Sequence, residues 1–289
     1  MKRLFKGLAI FLVFLYILLW IPWVQTQIGN IFAYAMSKAW DTKVTIDRVE
    51  ITPLTNFTFH NFFIQDHDKD TLIYAKYAEA QSYNIFGLFQ KKVDIGNIIV
   101  KDAVFKVQRK PEAEFFNIHF LIAFFEAAPN SKGPRPEKFQ LYFGGASLTN
   151  ARVHLADTAI GTTAIITCDT GYVHRHDVEG VDMIGKKVWG NKAHLEGFDV
   201  KVYIHDKVQI PNIDSSFWEV PVDSTIPYWD VGCEKLILTN ANFRLINQRS
   251  DMLPDSTKVL DFSNLNIKDI SLDVDSFRLQ KEVFTGLVK

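Results

Sequence analysis

Three groups of side chains in this sequence have the type and spacing to do chemistry. Asp66, Asp68 and Asp70 stand at the 1-3-5 spacing of an EF-hand loop, whose carboxylates would ring a hard cation. Thr71 instead of Gly follows Asp70, and Tyr77 instead of Glu holds the twelfth position, so the segment reads as a solvated hairpin end. His174 and His176, two residues apart, would share one strand face and could hold a metal. Flanked by Gly171 and Gly180, the run His174-Arg175-His176-Asp177 reads instead as a polar hairpin end. Cys168 and Cys233 are too few for a disulfide framework; two separate thiols buried on strands are expected, with one long-range bridge as the alternative. The sequence holds no Gly-x-Ser-x-Gly, no phosphate-cradling Gly-rich loop and no His-Glu-x-x-His. A non-enzymatic protein without cofactor or metal is expected.

The elements that position these residues begin with an apolar run, Gly7 to Val24, that carries no charge and follows Lys2, Arg3 and Lys6. Roughly 18 residues rise about 27 Å as a helix, enough for most of a bilayer core. The bulky exit Ile21-Pro22-Trp23-Val24 lacks the small residues of a cleavage site, so a retained transmembrane signal-anchor over residues 1–24 is expected. Leu8, Phe11, Phe14 and Leu18 would face lipid, with Trp20 and Trp23 at the far interface. The basic flank keeps the N-terminus cytoplasmic and exports the body. Over residues 25–42, Ile28, Ile31, Phe32, Ala35, Met36, Ala39 and Trp40 recur every three or four positions, as in an amphipathic helix that Asp41 and Thr42 end.

From Lys43 the period becomes two. Val44 and Ile46, Val49 and Ile51, and Phe57 and Phe59 alternate with polar residues as half-buried strands do. Phe62 to Gln65 and Thr71 to Ala75 form a further pair, and Val200, Val202, Ile204 and Ile270, Leu272, Val274 extend the rule to the C-terminal third. A repeat crosses these strands. Asp94 to Val107, Gln140 to Leu155 and Lys235 to Leu245 share apolar-x-(Asn/Asp)-Ala-x-apolar-x-apolar, centred on Asp102-Ala103, Asn150-Ala151 and Asn240-Ala241. Asn and Asp tolerate left-handed geometry and Ala leaves room for a bend, so each copy reads as a strand that kinks and continues. Copies about 48 and about 90 residues apart predict stacked multi-strand units. One stretch departs from the pattern: Glu112 to Ala128, between Pro111 and Pro129, reads as a short helix, a lid over one end or edge of the sheet, or else an interfacial membrane helix.

Lys+Arg 32 against Asp+Glu 33 leaves a formal charge of −1, so nucleic acid is not an expected partner. Hydrophobic residues at 47 % and 24 Phe exceed what the anchor absorbs, which puts the partner signal in apolar surface.

In this order the features resemble the AsmA-like proteins, and among them the TamB-type translocation and assembly module proteins of double-membraned bacteria. The resemblance is carried by the anchor ending Pro22-Trp23-Val24-Gln25 and the entry strand Thr42-Lys43-Val44-Thr45-Ile46-Asp47-Arg48-Val49. The turn Asp68-Lys69-Asp70-Thr71-Leu72-Ile73-Tyr74-Ala75 and the segment Asn117 to Ile122 add to it. It covers about the first 125 residues, and the remainder only as the strand-kink pattern. It implies a mainly β, elongated, open, taco-like or β-solenoid-like groove over residues 43–289, with a short covering helix. The groove would continue beyond Lys289 toward an outer-membrane partner of the Omp85 type.

The expected protein is thus a single-pass inner-membrane protein with its body in the periplasm, conducting phospholipids along an apolar groove toward the outer membrane. An open sheet with one apolar face must cover that face, and acyl chains can do so. The expected groove residues are Ile46, Phe59, Ile64, Ile98, Val100, Phe105, Val153, Leu155, Phe243 and Leu245. The alternative is a scaffold for outer-membrane β-barrel proteins, or a subunit of an envelope complex, binding through strand edges.

Overall fold

The computed structural model of the chain describes residues 2–18, 20–52, 56–84, 92–125, 140–175, 181–182, 187–206, 230–249, 264–280 and 283–288. Two helices come first, α1 (Lys2–Leu18) and α2 (Pro22–Trp40). The single span expected from Gly7 to Val24 is divided between them, and among the described residues no helix is long and apolar enough to cross a membrane. The cause is Pro22 at the first turn of α2: its ring holds the preceding Ile21 extended, at φ −82° and ψ 115°. Helix α2 therefore starts earlier than the 25–42 expected for it. It ends as expected, where Asp41 turns left-handed at φ 50° and donates its N–H to the Ser37 carbonyl.

Strands β1 (Val44–Thr45), β2 (Arg48–Thr52), β3 (Asn56–Gln65), β4 (Thr71–Asn84) and β5 (Lys92–Arg109) follow, then a short α3 (His119–Phe125). After it come β6 (Gln140–Asp157), β7 (Thr162–Arg175), β8 (Val181–Asp182), β9 (Lys187–Ile204), β10 (Asp230–Asn247), β11 (Asn264–Gln280) and β12 (Val283–Val288). All twelve join one mixed sheet in the order β1-β3-β4-β5-β6-β7-β9-β10-β11-β12, with β2 paired to β3 and β8 to β9. The path does not return on itself, so the sheet is open and the fold mainly β.

The order resolves into three antiparallel meanders, β3-β4-β5, β6-β7-β9 and β10-β11-β12. They join through two parallel seams, β5 with β6 and β9 with β10. This explains both spacings in the sequence. Asn61, Asn150 and Asn240 lie on the first strands of successive meanders, about 90 residues apart. Asp102 and Asn150, 48 apart, face each other across a seam and so belong to two units.

A crease crosses the strands at these positions. Asn61, Asp102, Asn150, Gly197 and Asn240 all have positive φ, between 49° and 61°, and every ladder from β3 to β10 skips a pairing there. Left-handed geometry turns the backbone out of the pleat, and Asn and Asp adopt it at less cost than branched residues. The apolar alternation then slips by one residue: Ile98 and Val100 before Asp102, but Ala103, Phe105 and Val107 after it. In β3 the slip is visible in packing, since Phe59 and Phe62, three positions apart, both contact one hydrophobic cluster. Small residues fill the inside of the bend, where Ala75 pairs with Ala103, Ala103 with Ala151, and Ala151 with Cys168, all buried.

The best-covered core lies under α2. Ala33 and Trp40 of the helix bury Val44, Ile46, Val49 and Ile64, and Leu72 and Leu121 join them. Gly29 makes this approach close, because a Cβ there would lie 2.3 Å from Cγ2 of Val49. The Gln25 amide donates to the Ile51 carbonyl at 2.8 Å, and the Val44 N–H donates to Ser37 Oγ at 2.8 Å, fixing both ends of the helix on the sheet.

Candidate functional site

Register assembles the apolar positions into rows that run across the strands. Ile64, Ile73, Phe105 and Val153 follow one another from β3 to β6, and Ile166, Val200, Phe243 and Ile267 continue the row to β11. Beyond it lies Val107–Leu155–Ala164–Val202–Leu245–Leu265. On the other side of the crease Phe59, Ala78, Val100 and Leu148 lead through Gly171 to Leu195, Leu238 and Leu272. Next to that row, Ile98 stands beside Ala80 and Ala146. The alternate rows are mostly polar, with Ile99, Val104, Ile165 and Ile237 as apolar members; in one of them Lys101, Thr149, Thr170, Glu196 and Thr239 follow one another. One face of the sheet is thus apolar across all three meanders, and it crosses both seams without a break.

The ten expected groove residues divide into two sets. Ile98, Val100, Phe105, Val153, Phe243 and Leu245 are half-buried and Leu155 is exposed, on strands that α2 does not reach. Ile46 and Ile64 are buried beneath α2, with Phe59 packed against the same cluster. These three belong to the protein's own core, packed under the helix that covers the first strands. Along α1, Phe11 and Phe14 are exposed, as are Trp20 and Trp23 beyond it, and Leu18 is half-buried; the side chain of Leu8 lies outside the described residues. The neighbours Phe5, Ile10, Val13 and Ile17 are exposed as well.

The remaining chemical candidates have structural duties. Asp66 is buried and accepts hydrogen bonds from the Asp70 N–H at 2.8 Å, Asn117 Nδ2 at 2.8 Å and Gln108 Nε2 at 3.3 Å. Its carboxylate is turned into the protein, which removes the first ligand of the apparent calcium spacing. Next to it a cavity of about 320 Å³ is lined by His67, Lys110, Phe115, Asn117, His119 and Phe120. Its cation is engaged: Asp68 accepts from Lys110 Nζ at 2.6 Å and holds that amine above its usual range. The helix expected over Glu112 to Ala128 is shorter, seven residues from His119 to Phe125, and residues 126–139 lie outside the described set. Asn117 explains its late start, for its side chain accepts from the Gln108 N–H and donates to Asp66, tying the preceding loop to β5. Ile118, Phe120 and Leu121 pack into the cluster under α2, so this segment closes the sheet near the β3–β4 turn.

His174 lies on β7 beside Tyr172, ring centroids 5.0 Å apart; His176 and Asp177 lie outside the described residues. Cys168 and Cys233 are free, buried thiols, and burial pushes both above the usual thiol range.

Copies of the strand-kink element without the alanine escape the sequence pattern: Asn61-Phe62 on β3, Asp269-Ile270 on β11 and Gly197-Phe198 on β9. Gly197-Phe198 occupies on β9 the place of Asn240-Ala241 on β10. Its signal is the pair of consecutive polar or glycine positions where the alternation slips: Lys101-Asp102, Thr149-Asn150, Glu196-Gly197 and Thr239-Asn240.

No family model matches the chain, and no curated protein matches it at a significant level.

Proposed function

We propose that this protein is a non-enzymatic lipid conduit of the AsmA-like, TamB-type class, anchored by its N-terminal segment in the inner membrane. Its body would stand in the periplasm, and its apolar sheet face would conduct phospholipids toward the outer membrane, where an Omp85-type protein is the proposed partner. The observation that carries this reading is the continuity of the apolar rows across three meanders while α2 covers only the first strands. Acyl chains suit such a face. Each buried CH₂ contributes about 0.8 kcal/mol without reference to a headgroup, so a chain can be held firmly and still slide along equivalent rows. The crease favours the same role, since it keeps the rows on its two sides on one face of a bent sheet. The exposed apolar side chains of α1 and of the turn after it support the anchor, with the break at Pro22 marking where the chain would leave the bilayer core.

The test is copurified lipid. Native mass spectrometry of the full chain should find phospholipid, and a photo-crosslinking side chain in place of Phe105 should capture it. The double variant Val153→Asp/Phe243→Asp should lose the lipid and keep its circular dichroism spectrum. Wild-type protein that binds no phospholipid by either method overturns the proposal.

A second reading is docking of partner strands on a sheet edge. The N-terminal half of β11 favours it: among the described residues, Asn264 to Ile270 pairs with β10 alone, while β12 covers the other half from Val274. Left-handed Asp269 and exposed Lys268 blunt this edge, so we rank it second. Protein crosslinks at Lys268 together with a lipid-free face would reverse the order.

A further inference from the structure

Helix α2 has two apolar sides. Gly29, Ala33, Met36 and Trp40 face the sheet, and the direction is set by the contact of Gly29 with Val49. At about 100° per residue, positions 27, 31, 34 and 38 lie roughly opposite Gly29, and position 23 falls about 120° from it. These are Trp23, Gln27, Ile31, Tyr34 and Lys38, with Trp23, Ile31 and Tyr34 exposed to 69 %, 69 % and 71 %. Ile28 and Phe32, about 100° and 60° from Gly29 on the flank of the helix, are exposed too. A helix that only covered a sheet would present polar residues on this side.

Two further features say what covers the stripe. It runs on from the exposed apolar surface of α1 through Trp20, Ile21 and Trp23. From Met1 to Trp40 the chain has no acidic residue, only Lys2, Arg3, Lys6 and Lys38, and Asp41 is the first carboxylate. Trp and Tyr favour the membrane–water interface, a Lys can lay its stem on apolar surface while its head reaches phosphate, and an acid-free helix suits anionic lipid.

We infer that α2 lies in the interface of the membrane, with Trp23, Ile31 and Tyr34 in the headgroup–acyl boundary and Lys38 at the phosphates, while Gly29 and Ala33 hold the sheet. This rests on the reading that α1 is in the membrane, and deepens it. The first strands are then held one helix diameter, about 10 Å, from the acyl layer, and the uncovered apolar rows begin beside the bilayer.

The experiment uses the full chain in vesicles of phosphatidylcholine and phosphatidylglycerol. A benzophenone side chain replaces, one at a time, Phe11, Ile31, Tyr34 and His154, the last on the polar side of β6. Lipid adducts are read by mass spectrometry. Ile31 and Tyr34 should give adducts at about fivefold or more the His154 level, as interfacial burial requires. Adducts at Phe11 with none at Ile31 and Tyr34 overturn the inference and leave the anchor standing. No adducts at any of the three overturn both.

Discussion

Asn150 Nδ2 donates to Asp102 Oδ1 at 2.6 Å across the first parallel seam, joining two residues that both sit in the left-handed region, at φ 50° and 51°. The hydrogen bond ties the crease of one meander to the crease of the next. Left-handed backbone costs an L-residue about 1–2 kcal/mol, more with a branched Cβ. Asn150→Val should therefore destabilise the protein by about 2 kcal/mol, and Asn150→Gly by less than about 1 kcal/mol, in urea unfolding. Equal losses for the two would show that backbone conformation at the crease is not what Asn150 supplies.

Gly29 and Gly7 make a matched pair for the seating of α2. Replacing glycine by alanine inside a helix usually gains about 0.5–1 kcal/mol. At Gly7, where a Cβ meets nothing within 4 Å, Gly7→Ala should be neutral or mildly stabilising. At Gly29 the sign should reverse, because the new Cβ collides with Val49 and the helix must lift; a loss of about 1–3 kcal/mol is expected. Faster tryptic cleavage at Lys43 would accompany it.

Arg109 and Asp157, paired in register across the same seam, make a bidentate contact at 3.1 and 2.5 Å, and both are largely buried. The Arg109 guanidinium also lies 5.3 Å from the Phe116 ring centroid. Removing either side chain takes the bidentate partner from a largely buried charge, so Arg109→Met or Asp157→Leu should each cost about 3 kcal/mol. The double variant should recover more than half of that. Additive losses, read from chemical denaturation, would argue that the two charges act independently.

The two thiols carry a pH signature. Burial raises both above the ordinary value of 9.0, with backbone hydrogen bonds from Ala193 and Lys235 partly opposing it at Cys233. A folded-state pKa above the unfolded one means the unfolded chain loses its protons first. Stability is then full below the unfolded value and falls as pH rises through the interval up to the folded one. Thiol labelling of the folded protein at pH 8 should be slow and should become fast on adding denaturant; fast labelling in buffer contradicts the burial.

The crease was legible at Asp102, Asn150 and Asn240 because a small set of residues tolerates left-handed backbone, and each stands before an alanine that fits the inside of the bend. Gly197 does the same turn with Phe198 behind it, so a pattern that required alanine passed over it. The period misled for a topological reason. The third strand of one meander and the first of the next carry like sequences because they lie side by side in parallel, and only pairing reveals that a 48-residue spacing crosses a unit boundary.

The candidate face shows the same division. Alternation identified Ile98, Val100, Phe105, Val153, Leu155, Phe243 and Leu245 as one-sided, since an apolar residue at every second position needs only local pleating. What lies above each position is a long-range matter. Ile46, Phe59 and Ile64 have the same local pattern, yet α2 closes over them because Gly29 and Ala33 allow its backbone to approach. Likewise Pro22 was plain in the sequence, but its division of the apolar run into two helices is a fact of backbone geometry.

By itself, then, the sequence determined the strand period, the kink positions and the surplus of apolar surface, all properties of residue type at short range. The tertiary structure alone decided that the strands form three meanders joined by parallel seams, that the rows continue across them, and which part of the face is covered. The reason is that register and coverage are set by contacts between segments tens of residues apart, and no local pattern encodes which segment arrives.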